Sequence, residues 1–301
     1  MSRETKIWLI TATSLVVVGL IIFTAVMFAY NWDFTNLSTE KFETNTYNIS
    51  QEFSNISINT DTSDVFFAVS SDGTCKVVCY ELVKIKHSAE VKDGTLNVST
   101  TDNRKWYEYI GLSFHSSKIT VYLPKTEYAS LFIKESTGDI EIPKDFKFKS
   151  TDISLDTGDV GFSASVEELI KIRTNTGDIS VKNISAGTLD LSVSTGTVSV
   201  SNVMCKNLLS SGSTGDIYLN NVSATEKFSI ERSTGDVRFK GSDATEIFVK
   251  TSTGDVIGSL LTEKVFVTET STGSINVPKT TQGGKCEIIT STGDIKIVID
   301  K

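Results

Sequence analysis

Ser136-Thr137-Gly138-Asp139-Ile140 is the first clear copy of a pentad that keeps returning along the chain. The later glycines are Gly158, Gly177, Gly196, Gly215, Gly235, Gly254, Gly273 and Gly293, at intervals of 19 or 20 residues. Thr precedes all nine glycines; Asp follows seven, with Thr197 and Ser274 in the other two places. A short fixed period kept over nine copies is the mark of a repeat architecture. Two residues after each glycine stand Ile140, Val160, Ile179, Val198, Ile217, Val237, Val256, Ile275 and Ile295, all β-branched. Eight of the nine residues four after the glycine are apolar, Gly258 being the exception, and those between are mostly polar. Period two means an extended strand with one buried face.

The alternation also runs backward, through Leu189, Leu191 and Val193 before Gly196. Each unit is therefore strand, Thr-Gly-Asp turn, strand, second turn, with glycine supplying positive φ at the turn. Nineteen residues rich in Val, Ile, Thr and Ser leave no room for a pair of helices and favour strands. One unit cannot close a core, whereas stacked units can, each strand bonding its equivalent about 4.8 Å above. The expected fold is all-β: a parallel β-solenoid of one coil per repeat, right-handed by the crossover rule. Nine coils rise roughly 40 Å.

The chain divides accordingly. Residues 1–6 read as a cytoplasmic tail, and 7–30, without a charge, as a transmembrane anchor. Arg3 and Lys6 precede the apolar run, which places the N-terminus in the cytoplasm and the rest outside. A cleaved signal peptide is the rival reading, but the run exceeds the usual 7–15 apolar residues and ends in Met27-Phe28-Ala29-Tyr30. Residues 31–48 are a polar spacer. Residues 49–135 form an irregular β cap with the first coils, and 136–301 form the regular solenoid. Within the cap, Ile56, Ile58 and Thr62-Ser63-Asp64-Val65 read as a degenerate first coil with Ser in the glycine place. Lys92-Asp93-Gly94 has hairpin-turn composition. Trp106, Tyr107, Tyr109 and Phe114 suit a cover over the open end. The last strand, Ile295 to Ile299, leaves the far end closed by little.

The order of motifs carries a resemblance: Ile56-Ser57-Ile58, Thr62-Ser63-Asp64-Val65, Ser71-Asp72-Gly73, Gly94-Thr95-Leu96, Ile119 to Pro124, then the Ser-Thr-Gly-Asp-Ile/Val repeats. Over about residues 50–300 this resembles the bacterial β-strand-repeat family of unknown function labelled "putative adhesin". The resemblance implies a β-solenoid on bacterial, often Gram-positive, cell surfaces, and it supplies no catalytic residues to carry over.

The residues that could carry chemistry read as structural. If Asp139, Asp159, Asp178, Asp216, Asp236 and Asp255 stack, their carboxylates form a row about 5 Å apart. Such a row invites Ca²⁺; the simpler reading is that each Asp caps its own turn. His87 and His115 read as surface residues, and Cys75, Cys79, Cys205 and Cys286 as buried free thiols with no natural pairing. Leu123-Pro124-Lys125-Thr126-Glu127 is a strand end rather than a wall-sorting signal. No catalytic, cofactor-binding or metal-ligating residue is assigned, and no cofactor is expected. Setting aside Arg3, Glu4 and Lys6, the exported part keeps 27 basic and 36 acidic residues, a net −9, which argues against nucleic acid. The expected role is a non-catalytic, adhesin-like surface module, with an envelope protein, wall polymer or surface ligand as partner. The alternatives are end-to-end self-association as an envelope structural protein, or an enzyme acting on polysaccharide.

Overall fold

The computed structural model describes residues 2–32, 41–104 and 116–300. The aromatic group Trp106, Tyr107, Tyr109 and Phe114, and His115, lie outside them. The N-terminal element is one helix, α1 (Arg3–Ala29), capped by the Ser2 side chain on the Thr5 amide. It is long and apolar enough to cross a bilayer.

Twenty-one strands follow among the described residues. The first seven are β1 (Phe42–Ile49), β2 (Asn55–Asn59), β3 (Asp64–Val69), β4 (Cys75–Leu82), β5 (Ile85–Lys92), β6 (Thr95–Asp102) and β7 (Lys118–Leu123). Next come β8 (Glu127–Thr137), β9 (Ile140–Ile142), β10 (Lys147–Thr157), β11 (Val160–Phe162) and β12 (Ser165–Thr176). The long middle strands are β13 (Ile179–Thr195), β14 (Val198–Thr214), β15 (Ile217–Thr234) and β16 (Val237–Thr253). The last five are β17 (Val256–Leu260), β18 (Lys264–Thr272), β19 (Ile275–Asn276), β20 (Gly284–Thr292) and β21 (Ile295–Ile299). From β8 to β17 each strand pairs in parallel with its equivalent one repeat away, as in Val198↔Ile217 and Leu189↔Leu208. The result is the β-solenoid of stacked parallel strands that the period requires.

Eight of the nine β-branched residues after the glycines are buried, from Ile140 to Ile295. The ninth, Ile275, is 46% exposed. Its exposure reports a feature of the topology: the coils do not stack in sequence order at the end. Strands β20 and β21 pair with β16 and β17 on one side and with β18 and β19 on the other. The last coil in sequence is thus inserted one place in, and the penultimate coil is outermost. The expectation that Ile295 to Ile299 forms a weakly closed end is corrected accordingly; Ile295 and Ile297 are buried between two coils. An ion pair crosses the entry of the inserted strand. Lys264 Nζ lies 2.6 Å from Asp243 Oδ1, and between them β20 begins at Gly284, where a Cβ would sit 1.7 Å from the Thr245 carbonyl oxygen.

The other end repeats the device. Strand β2 pairs in parallel with both β6 and β8, and β3 with both β7 and β9. The degenerate coil read from Ile56 to Val65 exists, but it is second in space. The outermost coil is made by β6 and β7, covered on its open edge by antiparallel β5 and β4. The segment read as a polar spacer ends in β1, which pairs antiparallel with β4 from Phe42↔Leu82 to Ile49↔Cys75. Its polar residues concealed it: Glu43 and Asn45 are among the half-buried side chains, serving a polar cluster rather than an apolar core.

Candidate functional site

Among the described residues, polar side chains come together outside the apolar core along the coil edges and in the cap. The first is the edge along the Thr-Gly-Asp turns. The glycines there have φ between 125° and 151°, and a Cβ on any of Gly158, Gly177, Gly196, Gly215, Gly235 or Gly254 would lie about 2 Å from the preceding glycine's carbonyl oxygen. Glycine is required by the stacking of turn on turn as well as by its own φ.

The aspartates beside them cap, but not in the way expected. Each carboxylate accepts the backbone N–H of the equivalent residue one coil away. Asp139 N–H donates to Asp64 Oδ1 at 3.0 Å, Asp159 to Asp139 at 2.9 Å and Asp178 to Asp159 at 2.7 Å. Thr197 donates to Asp178 and, lacking a carboxylate, ends that run. A second run links Asp216, Asp236, Asp255 and Asp294, and closes on Ser274, whose N–H and Oγ both reach Asp294 Oδ1. Capping of a residue's own turn is therefore corrected to capping of the next turn. The reason is spacing: stacked turns stand one strand separation apart, within reach of a short carboxylate. The free oxygens on the second run hold outward neighbours. Asp216 Oδ2 accepts from Tyr218 Oη, Asp236 Oδ2 from Arg238 and Asp294 Oδ2 from Lys296, at 2.8, 2.7 and 2.6 Å. Tyr218, Arg238, Ile257 and Lys296 are in register on successive coils, so they form one outward column.

The opposite corner carries a ladder that sequence reasoning missed. Asn183, Asn202 and Asn221 all have φ near 55°, and the side-chain amides of Asn202 and Asn221 each donate to the preceding Asn at 2.9 Å. The signal was present as three Asn residues, each six after a repeat glycine.

The second arrangement is a buried polar cluster in the cap. His87 was expected at the surface; it is 3% exposed, because β5 folds back through Val83 and Lys84 and lays it against β4. His87 Nδ1 is 2.6 Å from Glu81 Oε2, and the same oxygen accepts the His87 backbone N–H. Asn45 donates to Glu81 Oε1 at 2.5 Å. His87 Nε2 lies 3.1 Å from Ser63 Oγ, which in turn donates to the Thr62 carbonyl. The Ser63 amide bonds Glu135 Oε1, and Thr60 Oγ1 bonds Glu135 Oε2. Burial raises the Glu135 carboxyl to about 7. Ser63, His87 and Glu81 thus have the contacts of an acyl-transfer relay. The three are only 0–3% exposed and the hydroxyl is held by Thr62, so a substrate has no approach to it.

Cys79 belongs to this cluster: its sulfur and the nearest Glu81 and His87 ligand atoms lie within 4.8 Å of one another. All four cysteines are free and buried, as expected. Burial pushes the Cys79, Cys205 and Cys286 thiols up to about 12 and Cys75 to about 11, which keeps them protonated when no metal is bound.

Against known proteins, the family described as Toastrack DUF4097 matches residues 53–208 and 186–301. No curated protein matches the chain. Among solved structures, a "putative adhesin" from Bacteroides fragilis NCTC 9343 is similar at 19% identity, over 86% of this chain and 97% of that one, with a TM-score of 0.47. A "putative lipid binding protein" from Parabacteroides distasonis ATCC 8503 is similar at 14% identity, over 87% and 98%, with a TM-score of 0.44. A "putative adhesin" from Parabacteroides merdae ATCC 43184 is similar at 14% identity, over 73% and 97%, with a TM-score of 0.36.

Proposed function

We propose, for a chain that belongs to the Toastrack DUF4097 family, a non-catalytic, adhesin-like surface module held in the membrane by α1. Its N-terminus is cytoplasmic and its solenoid is displayed outside, where it meets an envelope protein, a wall polymer or a surface ligand. The observation that carries this reading is the outward column Tyr218, Arg238, Ile257 and Lys296. Three of its four side chains or their neighbours are pinned by aspartates that are themselves pinned to the backbone. A mixed aromatic, cationic and aliphatic stripe on a rigid sheet needs little ordering to bind, and Tyr and Arg are the residue types that most often anchor interfaces. The carboxylates run along an edge with one oxygen of each committed to an amide of the next coil, an arrangement that suits display.

The test has two parts. Protease added to intact protoplasts removes everything beyond α1; protection of the large fragment reverses the orientation. The chain captured from its own envelope extract retains its partner, and the triple substitution Tyr218→Ser, Arg238→Gln, Lys296→Gln loses it while the chain stays folded by circular dichroism. Retention of the partner by the triple variant refutes the column as the binding surface.

A second reading is favoured by the outermost coil. Val265, Val267 and Ile275 are 39%, 48% and 46% exposed on β18 and β19, whose outer edge carries no strand among the described residues. An open edge of this kind supports end-to-end self-association. Sedimentation that grows with concentration, and is abolished by Val267→Lys, supports it.

A further inference from the structure

Glu81 is fully buried and accepts three hydrogen bonds within 2.6 Å, from the His87 amide, the His87 ring and Asn45. His87 Nε2 lies 3.1 Å from Ser63 Oγ and Nδ1 lies 2.6 Å from Glu81 Oε2, so the ring is held from both sides with Nδ1 aimed at the carboxylate.

A third donor stands beside this pair. Cys79 and Glu81 are two apart on β4 and so share its inward face. The Cys79 sulfur lies with the Glu81 and His87 ligand atoms inside a 4.8 Å span, and Cys79 is 0% exposed. From zinc–sulfur and zinc–nitrogen lengths of about 2.3 and 2.0 Å, a tetrahedral site needs ligand atoms roughly 3–4 Å apart. Reaching that spacing requires the Glu81–His87 pair, now 2.6 Å apart, to open around the ion.

We infer that Cys79, Glu81 and His87 form a three-residue zinc-binding site that ties β4 to β5 in the N-terminal cap. The donor set selects the metal: calcium and magnesium prefer oxygen ligands throughout, and a copper(I) site favours soft sulfur donors over a carboxylate. Thiolate, imidazole and carboxylate together suit zinc. The surroundings have the features of an outer shell. A metal-bound histidine gives its other N–H to an acceptor, here Ser63, and the bound carboxylate is itself hydrogen-bonded, here by Asn45. Binding releases protons in balance: the Cys79 thiol gives up one, and the proton shared by His87 and Glu81 is displaced as a second, both to solvent.

The experiment uses the full chain in detergent, stripped with chelator under reducing conditions and titrated with cobalt(II). One equivalent gives a thiolate-to-cobalt charge-transfer band in the near ultraviolet, and zinc(II) then removes it. Zinc added in weak buffer releases between one and two protons per chain. Cys79→Ser loses the band while Cys205→Ser keeps it. Ser63→Ala, which removes only a hydroxyl, weakens cobalt binding by about 10- to 100-fold. Absence of the band in the unsubstituted chain overturns the proposal whether or not Cys79→Ser folds. Persistence of the band in Cys79→Ser, or unchanged affinity in Ser63→Ala, overturns it as well.

Discussion

The repeat body and the N-terminal cap solve the same problem with different chemistry. In the body, from Gly138 to Gly254, the inward columns are mainly apolar, with Thr151, Thr174, Ser210, Arg232 and Thr251 as buried exceptions, and each turn is fastened to the next by a backbone bond and, except at Thr197, an aspartate. In the cap, antiparallel β1, β4 and β5 bury Glu81 and His87 and join the solenoid through Ser63 to Glu135. The body is redundant, since each coil repeats its neighbour's contacts. The cap is singular, because each of its buried polar groups has one set of partners. Faults in the body should therefore follow position within the repeat, and faults in the cap should follow protonation.

The largest expected effect tests the body. Val198 is fully buried in the column after the glycines, and Val198→Asp places an unpaired carboxylate there. We expect a loss of about 4 kcal/mol or more in denaturant unfolding, against about 0.5 kcal/mol or less for the adjacent outward Ser199→Asp. Equal losses at the two positions would show that the inward assignment is wrong.

Next, the same substitution should cost differently in the two regions. Gly196→Ala puts a methyl 2.0 Å from the Gly177 carbonyl oxygen at φ 145°, so both strain and overlap arise. Gly73→Ala in the cap has positive φ but open space. About 3 kcal/mol for the first and about 1 kcal/mol for the second are expected from thermal unfolding.

The third test is specific to the cap. The Glu135 carboxyl is held near 7 in the fold against an ordinary 4.5. A raised acid favours the fold while protonated. Its contribution is full below 4.5 and is lost as pH rises through about 7, on the order of 3 kcal/mol at most. Unfolding at pH 5 and pH 8.5 should show that decline, and Glu135→Gln should flatten it. A decline unchanged by the substitution would locate the titration elsewhere.

The smallest effect concerns the aspartate edge. Asp178→Asn keeps an oxygen for the Thr197 amide and should cost a few tenths of a kcal/mol, whereas Asp178→Ala should cost about 1 kcal/mol. Added calcium should leave the melting temperature unchanged for both, and a calcium-dependent rise would mean that the row binds the ion.

What could be read from the residues follows the same division. The repeat period, the inward column and even the degenerate coil around Ser63 were legible, because local alternation and turn chemistry determine them. The order of coils at either end was not. Coil β20–β21 carries the same pattern as its neighbours, so nothing in its spacing says that it inserts between β16–β17 and β18–β19. The partner of each aspartate was missed because it lies 19 or 20 residues away, and local turn rules look only nearby. His87 was misjudged for a related reason: its burial depends on β5 lying over β4, which no periodicity records.

The doubled-back order at both tips separates the length of the rod from its closure. Each tip is finished by its own last two coils, and the cross-links there, such as Lys264 to Asp243, reach no further than their neighbours. A coil gained or lost between Gly158 and Gly235 would change the reach of the molecule by about 4.8 Å and leave both tips as they are. Reach is thus a quantity that unequal duplication can tune one step at a time, without redesigning either end.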